Sequence, residues 1–310
     1  MVRNLLKITD LNKKECNEII EKAADIKKHP EKYKDALKNQ TLLMFFEKPS
    51  LRTRISFETG MFELGGQAIF YSIKDSPLGR KETIEDMARV VSRYAHILAA
   101  RVYKRQDIRE LAKYSSIPVI NMLDDFAHPC QILSDLFTIK EKKDKIDGLK
   151  LSFFGDGFNN VTYDLMRAAA LYGLEMDVAC PKGKEFIPEE IVLKEVSDIS
   201  TNTGAKVRVL HDAKKAALNS DVIYTDSWMS YGIPVDKEKE RRSAFMPYQV
   251  DEEIIKNAKS DVIFMNCLPA MRGYEQTSEV IDGNHSIVFD QAENRLHVQK
   301  AIMLYLKEKF

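Results

Sequence analysis

The chain has few cysteines, and their spacing excludes the common cysteine-based sites. Its four cysteines, at positions 16, 130, 180 and 267, form no CxxC pair and no metal-finger spacing. Isolated cysteines of this kind are typical of reduced thiols in a cytosolic chain rather than of a disulfide framework. We therefore expect a cytoplasmic protein without a cysteine-based metal site.

The sequence also lacks net charge and a long apolar segment. Its 47 lysine and arginine residues balance 47 aspartate and glutamate residues. No global field then attracts nucleic acid or an acidic membrane, so any anion has to be recognised locally. No segment, the N-terminus included, approaches the ~20 apolar residues of a membrane anchor, which predicts neither a signal peptide nor a span. We expect no nucleic-acid partner and no membrane association.

The glycine-rich nucleotide fingerprints are missing as well. No GxxxxGK[ST] loop occurs, and in residues 155–160 (GDGFNN) Asn160 takes the third glycine position of GxGxxG. The next predicted strand, at 176–180, ends without the acidic residue that would hold a ribose. An asparagine pair at a helix start is often explained by capping alone. We therefore predict neither a dinucleotide site nor a nucleotide phosphate loop.

Strand and helix signals alternate along the chain. In the first half they predict strands at 41–46, 67–72, 97–102 and 118–122, with helices at 13–28, 52–64, 82–94, 107–115 and after Pro129. In the second half they predict strands from 150 and at 176–180, 206–210, 221–225, 261–266 and 286–290, with helices at 160–172, 188–203, 213–219 and 293–309. Short apolar strands alternating with helices indicate parallel sheets covered on both faces. The predicted fold class is α/β, with two doubly wound parallel-sheet domains joined by helices.

Two charged segments stand out, and the first of them marks the boundary between the predicted domains. The polar run at 140–148 interrupts the alternation, and its lysines followed by Gly148 suit a helix end. We therefore predict a first domain over 1–140 and a second over 149–291. The charged run at 236–242 is predicted to be a solvated loop.

The segment at 46–58 (FEKPSLRTRISFE) has the chemistry of an anion site. It follows a predicted buried strand, and Ser50 is a natural N-cap for the next helix. Arg52 and Thr53 then lie in a first turn, where unpaired backbone amides and the helix dipole favour anions. A single arginine would be explained as a surface charge. The combination of Ser50, Arg52 and Thr53 with unpaired backbone amides favours a phosphate site.

Polar residues also follow two other predicted strands, where ligands of parallel sheets bind. Arg101 ends the strand at 97–102, and His128 and Gln131 follow the strand at 118–122. His128 taken alone would equally suit a helix cap. Together with Thr53 and Arg101 it would supply donors to a carbonyl oxygen that becomes negative as a tetrahedral centre forms.

Five short segments are similar to the motifs of one enzyme family. These segments are SLRTR at 50–54, HPCQ at 128–131, DSWMSYG at 226–232, NCLP at 266–269 and ENR at 293–295. They resemble the SxRTR, HPxQ, DxWxSMG, HCLP and ENR motifs of the aspartate and ornithine carbamoyltransferases, the third being typical of the ornithine branch. The resemblance covers nearly the whole chain.

The resemblance implies a site for carbamoyl phosphate and a set of catalytic residues. The implied carbamoyl-phosphate contacts are Ser50, Leu51, Arg52, Thr53, Arg101, His128, Gln131, Leu268 and Arg295. The implied catalytic residues are Arg101, His128, Cys267 and Arg295. Cys267 would lie near the attacking amine, and we do not expect it to be a covalent nucleophile.

The same resemblance implies that the second substrate is L-ornithine. The implied contacts are Asn160, Asp226, Ser230, Tyr231 and Cys267. The reaction would yield L-citrulline and phosphate without cofactor or metal, a step of arginine biosynthesis. Two alternatives stay open: carbamoyl transfer to putrescine or an acylated ornithine, and a non-catalytic relative that only binds ligand.

The resemblance also implies an oligomeric state and a position for the C-terminal helix, whereas four residues of the chain depart from the family pattern. The family forms trimers with sites between subunits, so we expect a homotrimer or a multiple of trimers, with the C-terminal helix at 292–310 packed on the first domain. Leu51, Pro77, Tyr231 and Asn266 replace residues that relatives carry at these positions. Leu51 removes one hydroxyl contact to phosphate, and Pro77 has no side-chain donor.

Overall fold

The computed structural model of the chain describes residues 2–73, 82–229 and 233–308. The chain divides into two compact units, one formed by Met1–Phe137 with Glu293–Phe310 and the other by Thr138–Ala292. The predicted positions Pro77, Ser230 and Tyr231 lie outside the described residues.

In the described part of the first unit, four parallel strands form one sheet. They are β1 (Thr41–Phe46), β2 (Gln67–Ser72), β3 (Ile97–Arg101) and β4 (Val119–Leu123), in the order β2-β1-β3-β4. The helices of this part of the chain are α1 (Lys13–Lys28), α2 (Leu51–Glu63), α3 (Ile84–Tyr94), α4 (Arg105–Tyr114) and α5 (Pro129–Lys143). The strand order reverses direction between β1 and β3, and ligands of such sheets bind at this reversal, beyond the carboxyl ends of the strands.

Helix α2 forms where the capping pattern predicts it. Ser50 has extended backbone angles, and its hydroxyl accepts a hydrogen bond from the Thr53 amide at 3.4 Å. Phe57 and Met61 are buried on the core side of the helix. The cap and the apolar face together hold the first turn of α2 at the end of β1.

The described part of the second unit contains a parallel sheet of five strands. They are β5 (Lys150–Phe154), β6 (Glu175–Ala179), β7 (Lys206–Leu210), β8 (Val222–Thr225) and β9 (Ile263–Asn266), in the order β7-β6-β5-β8-β9. The helices of the second unit are α6 (Asn160–Tyr172), α7 (Glu190–Thr203), α8 (Ala213–Ala217), α9 (Glu238–Phe245), α10 (Glu252–Asn257) and α11 (Ser278–Ile281). The last helix, α12 (Val288–Glu308), begins in the second unit and lies mostly in the first. Here the order reverses between β5 and β8.

The predicted fold class is confirmed, because both sheets are parallel and helices connect their strands. The return of the C-terminal helix to the first unit is also confirmed. On that helix Ile302, Met303 and Leu306 are buried.

Two predictions about local structure are wrong. Residues 286–290 are not a strand, because α12 already begins at Val288 and only Ser286 forms an isolated bridge, to Phe264. A short apolar run fits a strand or a buried helix equally well, and here the helix packs. The charged run at 236–242 is not a loop, because most of it lies in α9, where Arg241 is only partly exposed.

No helix within the described ranges combines the length and the apolar character that crossing a bilayer requires.

Candidate active site

The first sheet brings Arg101 beside the turn that carries the SLRTR segment. Phe46 at the end of β1 pairs with Arg101 at the end of β3, and the Glu47 amide donates to the Arg101 carbonyl at 2.9 Å. These two strands flank the point where the strand order reverses. Arg101 is buried there, so the two segments that the sequence singled out lie at one edge of one sheet.

The residues of the SLRTR segment differ in what they offer to a ligand. Thr53 is buried, and Arg52 is partly exposed in the first turn of α2. Arg54 is exposed, pairs with Glu58 at 3.0 Å and stacks on the Phe70 ring. Ser50, Arg52 and Thr53 therefore stay the candidates for the predicted anion site, while Arg54 is engaged by Glu58 and Phe70 on the exposed side of α2.

Arg295 connects three helices at this site. Its Nη1 donates to Gln131 Oε1 at 2.5 Å, and its Nη2 donates to Thr53 Oγ1 at 3.3 Å. Gln131 Nε2 in turn donates to Asp135 Oδ1 at 2.8 Å. All four side chains are buried. The network fixes the orientation of the Gln131 carboxamide and brings the guanidinium of α12 to the SLRTR turn.

His128 lies buried among cations. Burial, followed by the positive charges of Arg295, Arg101 and Lys48, holds the pKa of the imidazole well below its usual range. The ring is therefore neutral at pH 7, so that one nitrogen can donate a hydrogen bond and the other can accept one. A neutral imidazole suits polarisation of a carbonyl group.

Lys48 belongs to the same site, although the sequence reasoning did not select it. Its side chain is buried, and its ammonium lies 4.8 Å from the centre of the Tyr103 ring. Burial and the charge of Arg101 lower the pKa of Lys48 to about 8. Its position two residues after β1, at the ligand-binding edge of a parallel sheet, was the available signal. Four cations, Lys48, Arg52, Arg101 and Arg295, therefore belong to this edge of the first unit, where Glu47, Asp124 and Asp125 also act on Lys48.

In the second unit, three turns meet at the carboxyl edge of the sheet. Phe154 pairs with Thr225, and Thr225 pairs with Asn266, so that β5, β8 and β9 end side by side. Asp226 follows β8 directly and accepts two hydrogen bonds, from Asn159 Nδ2 at 3.0 Å and from Cys267 Sγ at 3.1 Å. The structure thus brings Asp226 and Cys267 into contact.

The structure separates the roles of the two asparagines in the GDGFNN turn. Asn159 is the N-cap of α6, and its Oδ1 accepts from the Val161 amide at 2.7 Å. Asn160 begins the helix and is partly exposed. The role of Asn159 is explained by helix capping and by its hydrogen bond to Asp226. The contact of Asn160 with substrate stays a prediction.

The glycines of that turn are explained by close packing. A Cβ on Gly155 would lie 3.0 Å from Trp228 Nε1, and Gly155 has a φ of 120°. A Cβ on Gly157 would lie 2.5 Å from the Phe186 carbonyl oxygen. Glycine is required at both positions by the neighbouring protein atoms.

Asn266, one of the departures from the family pattern, holds the turn after β9. It is buried, its Oδ1 accepts from the Leu268 amide at 2.8 Å, and its Nδ2 donates to Gln276 Oε1 at 3.1 Å. Leu268 has a left-handed φ of 54°, which is unfavourable for a bulky residue. Asn266 therefore stabilises the left-handed backbone conformation of Leu268 in the turn after β9.

Two family descriptions match successive parts of the chain. "Aspartate/ornithine carbamoyltransferase, carbamoyl-P binding domain" matches residues 3–141, and "Aspartate/ornithine carbamoyltransferase, Asp/Orn binding domain" matches residues 147–306. The chain belongs to this carbamoyltransferase family. The resemblance seen in its short motifs is therefore confirmed.

Individual members of the carbamoyltransferase family are similar over long stretches. The ornithine carbamoyltransferase of Thermococcus kodakarensis is 48% identical over 303 residues, which cover 97% of this chain and 95% of that protein. A relative from Pyrococcus furiosus, named "Ornithine carbamoyltransferase, anabolic", is 50% identical over 267 residues, 86% of this chain and 84% of the relative. The crystal structure of ornithine transcarbamoylase from Giardia lamblia superposes with a TM-score of 0.92 at 43% identity, covering 100% of this chain and 99% of the other.

Proposed function

We propose that the chain is an ornithine carbamoyltransferase. It transfers the carbamoyl group of carbamoyl phosphate to the δ-amine of L-ornithine and releases L-citrulline and phosphate. The observation that carries the proposal is the buried network in which Arg295 contacts Gln131 and Thr53, because it assembles the family's separate motifs into one site. The names of the similar relatives support ornithine as the acceptor.

The cationic site of the first unit is proposed to bind carbamoyl phosphate. Ser50, Leu51, Arg52 and Thr53 would hold the phosphate through hydroxyl groups, the guanidinium and the backbone amides at the start of α2. Arg101 would contact both the phosphate and the carbonyl oxygen. The buried cations Lys48, Arg101 and Arg295 at this edge support the assignment, because a dianion would pair with them.

The carbonyl group is proposed to be polarised by groups that are already in place. Arg101, neutral His128 and Arg295 would donate to the carbonyl oxygen, and Gln131 and the Leu268 backbone carbonyl would contact the carbamoyl amide. Donors fixed in advance stabilise the oxyanion of the tetrahedral intermediate without reorganisation. No cofactor or metal is part of the proposal.

The reaction proceeds by attack of a neutral amine on the carbonyl carbon. A C–N bond forms, the C–O bond to phosphate breaks, and the phosphate leaves with the electron pair beside the cations of the first unit. The attacking nitrogen gives up one proton as it becomes the amide nitrogen of citrulline, and the departing phosphate takes up this proton to leave as hydrogen phosphate. The ornithine δ-amine must lose a proton, because its unperturbed pKa is about 10.4 by analogy with lysine. Positioning and electrostatic stabilisation supply the remaining rate enhancement.

The second unit is proposed to bind ornithine. Asp226 would pair with the α-ammonium group, Asn160 would contact the carboxylate, and Cys267 would lie beside the reacting amine. Ser230 and Tyr231 complete the proposed contacts. The carboxylate of Asp226 supports a substrate with a free α-amino group over putrescine or an acylated ornithine.

The domain ranges form part of the same proposal. Residues 1–140 with 292–310 would bind carbamoyl phosphate, and residues 149–291 would bind ornithine. The name of the Pyrococcus furiosus relative supports the anabolic direction, which supplies arginine biosynthesis. Four free cysteines support a reducing compartment, and we propose the cytoplasm.

We also propose that the protein is a homotrimer or a multiple of trimers. Leu51, Ile55 and Phe62 on α2 are 69%, 52% and 78% exposed, and their spacing places them on one side of the helix. An exposed apolar stripe of this kind marks an interaction surface. Light scattering should give a trimer or larger for the parent, and Ile55→Lys with Phe62→Lys should dissociate it; a monomeric parent would refute the proposal.

The function is tested by offering several amines with carbamoyl phosphate. Citrulline and phosphate are measured with L-ornithine, putrescine, N-acetylornithine and L-aspartate in parallel. We expect turnover with ornithine to exceed that with each other amine. A preference for another amine would leave the carbamoyl-phosphate site in place and overturn the assignment of Asp226. Absence of any turnover would point to a non-catalytic relative.

A further inference from the structure

Trp228 lies two residues after Asp226, and its backbone N–H and its backbone carbonyl are each bound by a charged side chain. Its amide donates to Glu275 Oε1 at 3.2 Å, and its carbonyl oxygen accepts from Arg241 Nε at 2.8 Å. The indole is buried and stacks on Phe245 with ring centres 5.7 Å apart. The segment after β8 is therefore held by its backbone as well as by its side chain.

Arg241 extends this connection to the turn after β5. Its second guanidinium nitrogen, Nη2, forms an ion pair with Asp156, which lies in the GDGFNN turn. The Asp156 Oδ1 accepts from the Phe158 amide at 3.0 Å. The guanidinium also lies over the Phe245 ring, 5.0 Å from its centre. The Arg241 side chain thus connects the turn after β5 with the segment that carries Asp226.

Glu275 makes the equivalent connection to the turn after β9. Its Oε2 accepts from the Met271 amide at 3.0 Å, while its Oε1 accepts from Trp228. The side chain is buried, and burial raises the pKa of its carboxyl group. Two backbone amides from different turns therefore depend on one carboxylate.

We infer that Arg241 and Glu275 are positioning residues that clamp the backbone of Trp228, through its carbonyl and its N–H, and so hold Asp226 in place for the α-ammonium group of ornithine. The inference rests on the proposed function, which places ornithine at Asp226. Both residues act through the backbone of the segment and not by contact with substrate. Their bonds join the three turns after β5, β8 and β9, and these turns carry every described residue that we propose to contact the amino acid.

Removing either clamp leaves buried polar groups unpaired. Without Arg241, the Asp156 carboxylate loses its cation and the Trp228 carbonyl loses a charged donor. Without the Glu275 carboxylate, the Trp228 and Met271 amides compete for one remaining acceptor. Bonds to charged groups are the stronger class of hydrogen bond, so each loss should let the segment move.

The first test separates the two substrates kinetically. For Arg241→Gln and Glu275→Gln we expect the KM for ornithine to rise by about ten- to hundredfold, the range that follows from losing a charge-assisted hydrogen bond. The KM for carbamoyl phosphate should stay within about twofold, because the residues proposed to hold its phosphate group lie in the first unit and make none of the altered contacts. Arg241→Lys keeps the charge but cannot span both partners, so its ornithine KM should be intermediate.

Lys239→Gln is the matched control. It removes one positive charge from the same helix, at an exposed position. Both KM values should equal those of the parent. A purely structural role for Arg241 and Glu275 would lower kcat and the melting temperature without separating the two KM values, and that result would overturn the inference.

The second test does not depend on activity. Trp228 is the single tryptophan of the chain, so acrylamide quenching of fluorescence excited at the red edge of the tryptophan absorption, where tyrosine does not absorb, reports this side chain alone. Quenching should increase in both glutamine variants and keep the parent value in Lys239→Gln. Unchanged quenching in the folded variants would overturn the clamp even if their ornithine KM rose.

The two tests distinguish the inference from the proposed function. If the parent shows no turnover with ornithine, the proposed function fails while the quenching measurement still decides the clamp. If Arg241→Gln does not fold, Arg241→Lys and Glu275→Gln carry both measurements. An ornithine KM that stays at the parent value in these two variants refutes the positioning role.

Discussion

The protonation of Lys48 provides the sharpest prediction about carbamoyl-phosphate binding. Lys48 is a buried side chain at the cationic edge of the first sheet, where burial and Arg101 lower its pKa to about 8. The side chain is a cation below this pH and neutral above it. Binding of the phosphate group should therefore weaken as the pH rises through about 8.

The size of the effect follows from the titration and from the bond. One pH unit above the pKa about a tenth of the lysine stays protonated, so kcat/KM for carbamoyl phosphate should fall about tenfold per pH unit. Lys48→Met should lower kcat/KM at pH 7 by about ten- to hundredfold, since a hydrogen bond from an ammonium to a phosphate contributes roughly 1.5–3 kcal/mol. The variant should also lose the decline above pH 8.

The assay is the initial rate of citrulline formation at varied carbamoyl phosphate, from pH 6.5 to 9.5. Ornithine is kept saturating at each pH, because its own δ-amine titrates in this direction. Lys104→Met is the control, since Lys104 is an exposed lysine of the same unit. A flat profile for the parent, or a decline that persists in Lys48→Met, would refute the reasoning.

Three further substitutions have distinct expected results. Arg295→Gln should lower kcat by about 10²–10³-fold through loss of an oxyanion donor. A decrease in the steady-state kcat of less than about threefold would argue against that role. Cys267→Ser keeps a donor to Asp226, so kcat should fall by no more than about tenfold; complete inactivation would revive a covalent cysteine. Arg167→Met leaves the buried Asp164 without its cation and should reduce the free energy of unfolding in urea by about 3–5 kcal/mol, with an unchanged midpoint as the contrary result.

Patterns that repeat along the chain were sufficient to predict the fold class. The alternation of short apolar strands with helices predicted both parallel sheets, and Ser50 predicted the start of α2. These signals are local, because side-chain periodicity and capping chemistry act within a few residues. The prediction failed at 286–290, where a short apolar run has no distinguishing period.

The sequence reasoning missed the charged residues whose role depends on distant contacts. Arg241 was assigned to a solvated loop because it stands in a run of charges, yet it pairs with Asp156, 85 positions away. Glu275 was not considered, although it binds the Trp228 amide across 47 positions. A charge in isolation is expected at the surface, and nothing in its immediate neighbours announces a buried partner.

By itself, the sequence determined the family, the fold class and the chemical types of the site residues, because motifs and periodicity are written in neighbouring positions. The tertiary structure decided which of these residues meet. It brought Arg295 to Thr53 across 242 positions, gave Asp226 its two donors, and placed Lys48 among cations that lower its pKa. The physical reason is that burial and charge act through space, so their effect on a side chain appears only when the chain has folded.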